Sequence, residues 1–155
     1  MHPKGAVLVA KAILAEIANL PVDAVGGMDM GATPIVGAVA AVSEMTGHPL
    51  PVFVVRKDVK KHGTMKAIEG LIPSSPAKVV IVDDVVTSGG SILKAIDAVQ
   101  EAGHEILLAI SMLDRDAGAT EALRSRGIPY QPLVTLGDIG VVNEPNRPSS
   151  QVGLG

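Results

Sequence analysis

One stretch limits what this chain can be: Val79-Val80-Ile81-Val82-Asp83-Asp84-Val85-Val86-Thr87-Ser88-Gly89-Gly90-Ser91. Residues 79–82 are short, apolar and β-branched, which suits a strand buried on both faces of a parallel sheet. Asp83 and Asp84 stand where such a strand should end. Thr87, Ser88, Gly89, Gly90 and Ser91 follow as a small, donor-rich loop. Ile92, Ala95, Ile96, Val99 and Ala102 then recur at helical spacing, and Gly103 is a good stop for that helix. The order is therefore strand, acid pair, Gly/Ser/Thr loop, helix.

A helix N-terminus carries about half a positive charge and presents N–H groups, so such a loop binds phosphate. The acid pair beside it repels phosphate. It suits sugar hydroxyls instead, or a divalent cation bridging to a diphosphate. The implied ligand has a phosphate at one end and a hydroxylated sugar in the middle. An ordinary glycine-capped turn would not explain two carboxylates at a strand end.

The rest of the chain repeats the alternation. Residues 6–20 predict a helix with Val9, Ile13, Ile17 and Leu20 on one stripe, stopped by Pro21. A strand over 24–26 leads into a tight loop from Gly27 to Gly31, then a helix over 33–46 and a strand over 52–55. The segment from Arg56 to Gly70 holds Arg56, Lys57, Lys60, Lys61, His62 and Lys66 with little apolar periodicity, and predicts a mobile loop. A fourth strand over 106–112 ends in Leu113-Asp114-Arg115. A helix over 120–126, a fifth strand over 131–135 and a helical turn over 136–140 complete the core. The expected division is a core over 1–142 and a disordered Pro/Gly/Ser-rich tail over 143–155.

This pattern predicts an α/β fold: a five-stranded parallel sheet flanked by helices, with a Rossmann-like core. Ligands of such sheets sit at the carboxyl ends of the strands, so the three unusual loops should meet on one rim. Neither GxGxxG nor the P-loop pattern occurs. A length of 155 residues fits one domain. A net charge of −3 and only two aromatic residues, Phe53 and Tyr130, argue against nucleic acid as a partner. The most apolar run, 106–110, is far short of the roughly 20 residues of a membrane helix. The absence of cysteine fits a cytoplasmic protein. A hydrophobic content of 47% suggests a buried subunit interface, as in a homodimer.

The run from Val79 to Ser91 closely resembles the phosphoribosyl-diphosphate (PRPP) motif of type I phosphoribosyltransferases. The resemblance implies that Asp83 and Asp84 hold the ribose hydroxyls, that Thr87, Ser88, Gly89, Gly90 and Ser91 cradle the 5-phosphate, and that Val85 and Val86 belong to the same PRPP-binding run. The basic segment Arg56-Lys57-Asp58-Val59-Lys60-Lys61-His62-Gly63 is similar to the catalytic loop of orotate phosphoribosyltransferases, as is the later Glu69-Gly70 pair. By that likeness Arg56, Lys57, Lys60 and His62 contact the diphosphate, with Lys60 the main catalytic cation, and the loop acts in trans across a homodimer. Taken alone, the same basic run also suits a solvated patch.

Gly27 to Ala32, including Met30, matches the family's first glycine loop, whose backbone meets the diphosphate. Many members carry Lys where Met30 stands. Asp114-Arg115 matches an Asp-Arg pair whose Arg bonds orotate, and Thr87 would touch orotate as well as phosphate. The implied cofactor is Mg2+, held mainly by PRPP and water. The reaction implied is orotate plus PRPP giving orotidine 5'-phosphate and diphosphate, a step of pyrimidine biosynthesis. The family's N-terminal hood over the pyrimidine has no counterpart here. That keeps two alternatives open: a PRPP-binding regulatory paralogue, or a transferase for another base.

Overall fold

The computed structural model of the chain describes residues 2–57, 67–73 and 76–140. Ten elements follow along the described residues, strands and helices alternating except where three strands run in succession in the middle. Helix α1 (Pro3–Ile17) precedes β1 (Ala24–Met28), α2 (Thr33–Met45), β2 (Val52–Val55) and β3 (Ile68–Gly70). Then come β4 (Lys78–Val86), α3 (Gly90–Glu101), β5 (Glu105–Asp114), α4 (Ala119–Ser125) and β6 (Tyr130–Thr135). The strands form one sheet in the order β3-β2-β1-β4-β5-β6.

The α/β class expected from the sequence is the one observed, but the sheet has six strands, not five. Ile68–Gly70, expected inside a loop, is an antiparallel edge strand on β2, with Phe53 opposite Gly70 and Val55 opposite Ile68. Its three residues are too few to show a period, so its backbone pairing decides the matter. The other four pairings are parallel.

Each face of the sheet is sealed by the stripe its helices carry. Ala10, Ile13 and Ile17 of α1 join Ile35, Val36, Val39 and Val42 of α2 over Val25, Val80, Val82 and Ile110. Ile92, Ala95, Ile96 and Val99 of α3, with Leu123 of α4, cover Val79, Ile81 and Ala109 on the other side. The α3 stripe is the predicted one except for Ala102, which caps the helix end and is exposed. Leu20, predicted to extend the α1 stripe, lies past the helix end and is exposed. The helix also starts earlier than predicted, at Pro3, where the His2 Nδ1 accepts the Lys4 N–H at 3.2 Å. Proline suits that first turn because its missing N–H has no helical partner there.

Two strands run further than the apolar runs suggested. β1 continues through Gly27 and Met28, because Gly27 and Met28 pair with Val54 and Val55. β4 continues through the acid pair, because β5 stays alongside it: Asp83 pairs with Ser111 and Val86 with Asp114. Asp83 and Asp84 therefore lie within a strand and alternate, the first buried and the second exposed. Residues 136–140 form a turn capped by Asp138, whose Oδ2 accepts from the Thr135 N–H at 2.7 Å and the Thr135 hydroxyl at 2.8 Å.

The chain reverses direction across the sheet between β1 and β4, which lie side by side although β2 and β3 intervene in sequence. The crevice at such a switch point, beyond the carboxyl ends of the strands, is where open α/β sheets bind ligands.

Candidate active site

The carboxyl ends of β1 and β4 open into a cleft of about 520 Å³. Met28, Asp29, Met30 and Gly31 line one wall, Asp83, Asp84 and Val85 the floor, and Gly90, Ser91 and Lys94 the other wall; Lys57 reaches it from beyond β2. A second cleft of about 520 Å³ shares Asp29, Met30 and Lys57 and adds Arg56. Two of the three loops predicted to meet on one rim do so, and the first two residues of the third, Arg56 and Lys57, join them.

Asp83 is the unusual group. Its side chain is 4% exposed. Oδ1 accepts the Asp84 N–H at 3.0 Å, while Oδ2 is buried with no partner. Burial pushes its carboxyl up to about 6, the Asp84 N–H bond opposes the rise, and the Asp84 charge adds to it. A buried acceptor without a donor costs free energy, so it is ready for a hydroxyl. Asp84 is exposed, and its Oδ1 accepts the Val85 N–H at 2.7 Å.

Gly31 explains how the two carboxylates come so close to the first loop. A Cβ there would lie 2.8 Å from Asp84 Oδ1 and 3.1 Å from Asp83 Oδ1. Beyond the floor, α3 begins with Gly89 in the left-handed conformation (φ 86°) and no side-chain cap. Its first N–H groups are therefore open to an anion.

Arg56 follows the end of β2, at the edge of this second cleft. Its guanidinium pairs with Glu69 of β3 at 2.6 Å, which ties the edge strand to the end of β2. That pairing holds its pKa above the usual arginine value. Its buried Nε–H keeps no partner and remains a donor. Met30 is 79% exposed in the cleft. Thr87 and Ser88 are exposed on the loop, whereas the Val86 side chain is buried in the core.

Arg115 lies one strand further on, exposed, with its N–H bonded to the Val86 carbonyl at 3.0 Å. Lys60 and His62 fall outside the described residues. Lys94 was missed from sequence. Its signal was helical spacing, four residues after Gly90, which returns it to the loop-facing side of α3. A further cavity of about 400 Å³ lies among Leu14, Ile17, Leu20, Val22 and Leu50, with Thr46 and His48 also on its wall, before the starts of β1 and β2 and away from the acid pair.

A mostly parallel sheet whose switch point sets an acid pair, Asp83 buried and Asp84 exposed, beside an uncapped glycine-led helix is the architecture expected of a phosphoribosyl transferase domain. The family model of that description matches residues 2–127, and the chain belongs to that family of pentosyl-transferring enzymes. Within it the chain belongs with the orotate phosphoribosyltransferases. It is 44% identical over 136 residues to that of Rhodopseudomonas palustris (strain BisB5), covering 86% of this chain and 73% of the relative. The Mycobacterium tuberculosis H37Rv orotate phosphoribosyltransferase superposes with TM-score 0.81 at 33% identity in its complex with Fe(III) dicitrate, over 91% of this chain and 78% of that one. In its PRPP complex the values are 0.79 and 32%, over 90% and 78%.

Proposed function

We propose that the chain transfers the 5-phosphoribosyl group of PRPP to orotate, giving orotidine 5'-phosphate and diphosphate. The observation that carries this reading is the buried Asp83 with its spare Oδ2, set beside the open N-terminus of α3 in one cleft. The first N–H groups of α3 and the Ser91 hydroxyl receive the 5-phosphate, and Lys94 adds a cation nearby. Asp83 and Asp84 accept the ribose hydroxyls. The diphosphate then extends over the first loop, toward Lys57 and the Arg56 Nε–H.

In the reaction the anomeric carbon breaks its bond to diphosphate oxygen and bonds the ring nitrogen of orotate. Positive charge grows on the ribose and negative charge on the leaving group. Cations fixed around the diphosphate stabilise that change. On this reading Lys57, Lys60 and His62 supply them, with the basic segment completing a neighbour's site in a homodimer. Arg115 meets the orotate ring. The oxygen-only donor set of Asp83 and Asp84 fits a hard, water-carrying Mg2+, which those carboxylates would hold through water. When bound, the ion neutralises diphosphate charge. We read residues 1–142 as the folded unit and the cytoplasm as its compartment.

The test is orotate consumption by the purified chain with PRPP and Mg2+, followed by ultraviolet absorbance, beside Lys60→Ala. We expect turnover in the parent and a fall of roughly tenfold or more in the variant. A parent that binds PRPP in calorimetry without consuming orotate would instead be a regulator or a transferase for another base. A parent that does not bind PRPP overturns the reading.

Gly31→Ala separates the cleft from the fold. The atoms nearest the added methyl are the carboxylate ends of the two aspartates, which can turn aside. Stability should therefore change by no more than about 1 kcal/mol, while the displaced carboxylates raise the KM for PRPP roughly tenfold. Thermal melting and initial rates check both halves.

A further inference from the structure

Glu69 is a carboxylate one contact away from the cleft, and no step above uses it. By charge alone, a negative group near a diphosphate site weakens anion binding, so its place there needs a reason. The antiparallel pairing of β3 on β2 puts it there. Glu69 stands opposite Val54. Residues two apart along a strand share a face, so Arg56, two past Val54, projects on the same side of the sheet as Glu69. The backbones are fixed around them: the Arg56 N–H donates to the Ala67 carbonyl at 2.8 Å, and the Leu71 N–H to the Val52 carbonyl at 2.9 Å. The side chains then meet at 2.6 Å, from Arg56 Nη2 to Glu69 Oε1.

The strand does not need this ion pair. Backbone bonds already flank it at both ends, and a pair between side chains 39% and 47% exposed adds little to stability. What the pair supplies is orientation. A free arginine side chain has many rotamers, and a donor fixed before the ligand arrives binds it without losing that freedom. Glu69 holds one arm of the guanidinium fork, while the Nε–H keeps no partner. Arg56 lines the second cleft with Asp29, Met30 and Lys57. Among those residues Asp29 is the competing carboxylate, and its charge acts on Arg56 after that of Glu69. Released from Glu69, the guanidinium is drawn toward Asp29, on the loop over which the diphosphate extends.

We propose that Glu69 is a positioning residue: it holds the Arg56 guanidinium at the wall of the cleft, and so governs affinity for the diphosphate and not for the base. This rests on the reading that the diphosphate lies over the first loop toward Lys57 and Arg56. A merely structural tie would affect both substrates alike.

Glu69→Ala removes the acceptor, whereas Glu69→Gln keeps an acceptor of the same reach without the charge. Calorimetry with inorganic diphosphate reads affinity at this end of the cleft without turnover. We expect its Kd to rise roughly tenfold in Glu69→Ala and less than about threefold in Glu69→Gln. The KM for PRPP should follow the same order, with the KM for orotate changed by less than about twofold. In an Arg56→Ala background, Glu69→Ala should add nothing, because the effect runs through the guanidinium. Charge alone predicts the opposite sign, and an unchanged or lower Kd in Glu69→Ala overturns the proposal. So does a loss that persists in full without Arg56, or a joint rise of both KM values. A parent that binds diphosphate but consumes no orotate removes the orotate half of the functional reading, and the Kd comparison still decides the role of Glu69. A parent that binds no diphosphate overturns both.

Discussion

Gly27→Ala should leave little folded protein. A Cβ at Gly27 would lie 2.1 Å from the Val82 carbonyl oxygen and 2.6 Å from Ala32 Cβ. The first of these neighbours is backbone, in the strand beside it, so relief requires β1 and β4 to move apart. Those two strands form the switch point and are buried throughout the contact. Ordinary overpacking costs about 1–3 kcal/mol. A clash with a central strand should exceed that, and roughly 4 kcal/mol would remove much of the stability of a domain this size. Gly37→Ala is the opposite case within the same chain. It lies in α2 with nothing within 4 Å of its would-be Cβ. There alanine should stabilise the helix by roughly 0.5–1 kcal/mol. Urea denaturation of the two variants beside the parent checks both signs. A Gly27→Ala protein with parental stability would mean that β1 does not pack against β4 as described.

The same glycine shows where a sequence is ambiguous. In the sequence, Gly27 reads as the start of a turn, since glycine most often marks one. In the fold it lies inside β1 with Gly26. Gly26 leaves room for the Phe53 ring, 2.2 Å from where its Cβ would be, and Gly27 leaves room for the neighbouring strand. A need for space leaves no periodic trace; only the packed partner reveals it. The α3 stripe was legible for the converse reason, because burial on one helix face imposes a period on the residues themselves. The acid pair was legible as chemistry and less so as geometry. Its position inside β4 depends on how far β5 runs beside it, a contact between residues almost thirty positions apart. The contact of the Tyr130 hydroxyl with Ser111 was invisible in the sequence because the two lie on different strands and form no local pattern.

Asp83→Asn should make the chain more stable at neutral pH and far less able to use PRPP. The Asp83 carboxyl is raised from its ordinary 3.8 to about 6, chiefly by burial. A group with a raised folded pKa binds its proton more tightly in the native state than in the unfolded one. Its contribution therefore falls as pH rises from about 4 to about 6, and above that the native state carries an ionised carboxylate it would rather keep protonated. The full difference corresponds to roughly 3 kcal/mol. Asparagine keeps the shape without the charge, so the variant should match the parent near pH 4 and exceed its stability by about 1–3 kcal/mol at pH 8. The amide offers the ribose hydroxyls one neutral acceptor in place of a charged pair, and kcat/KM for PRPP should fall about 100-fold. The parent's own kcat/KM should decline below about pH 6, as Asp83 takes up the proton that competes with a ribose hydroxyl. Denaturation midpoints at pH 5 and pH 8, with initial rates at the same values, check the pair of effects. An Asp83→Asn chain less stable than the parent at pH 8 would mean that Oδ2 already has a partner, and that the cleft does not hold a carboxylate in reserve for the sugar.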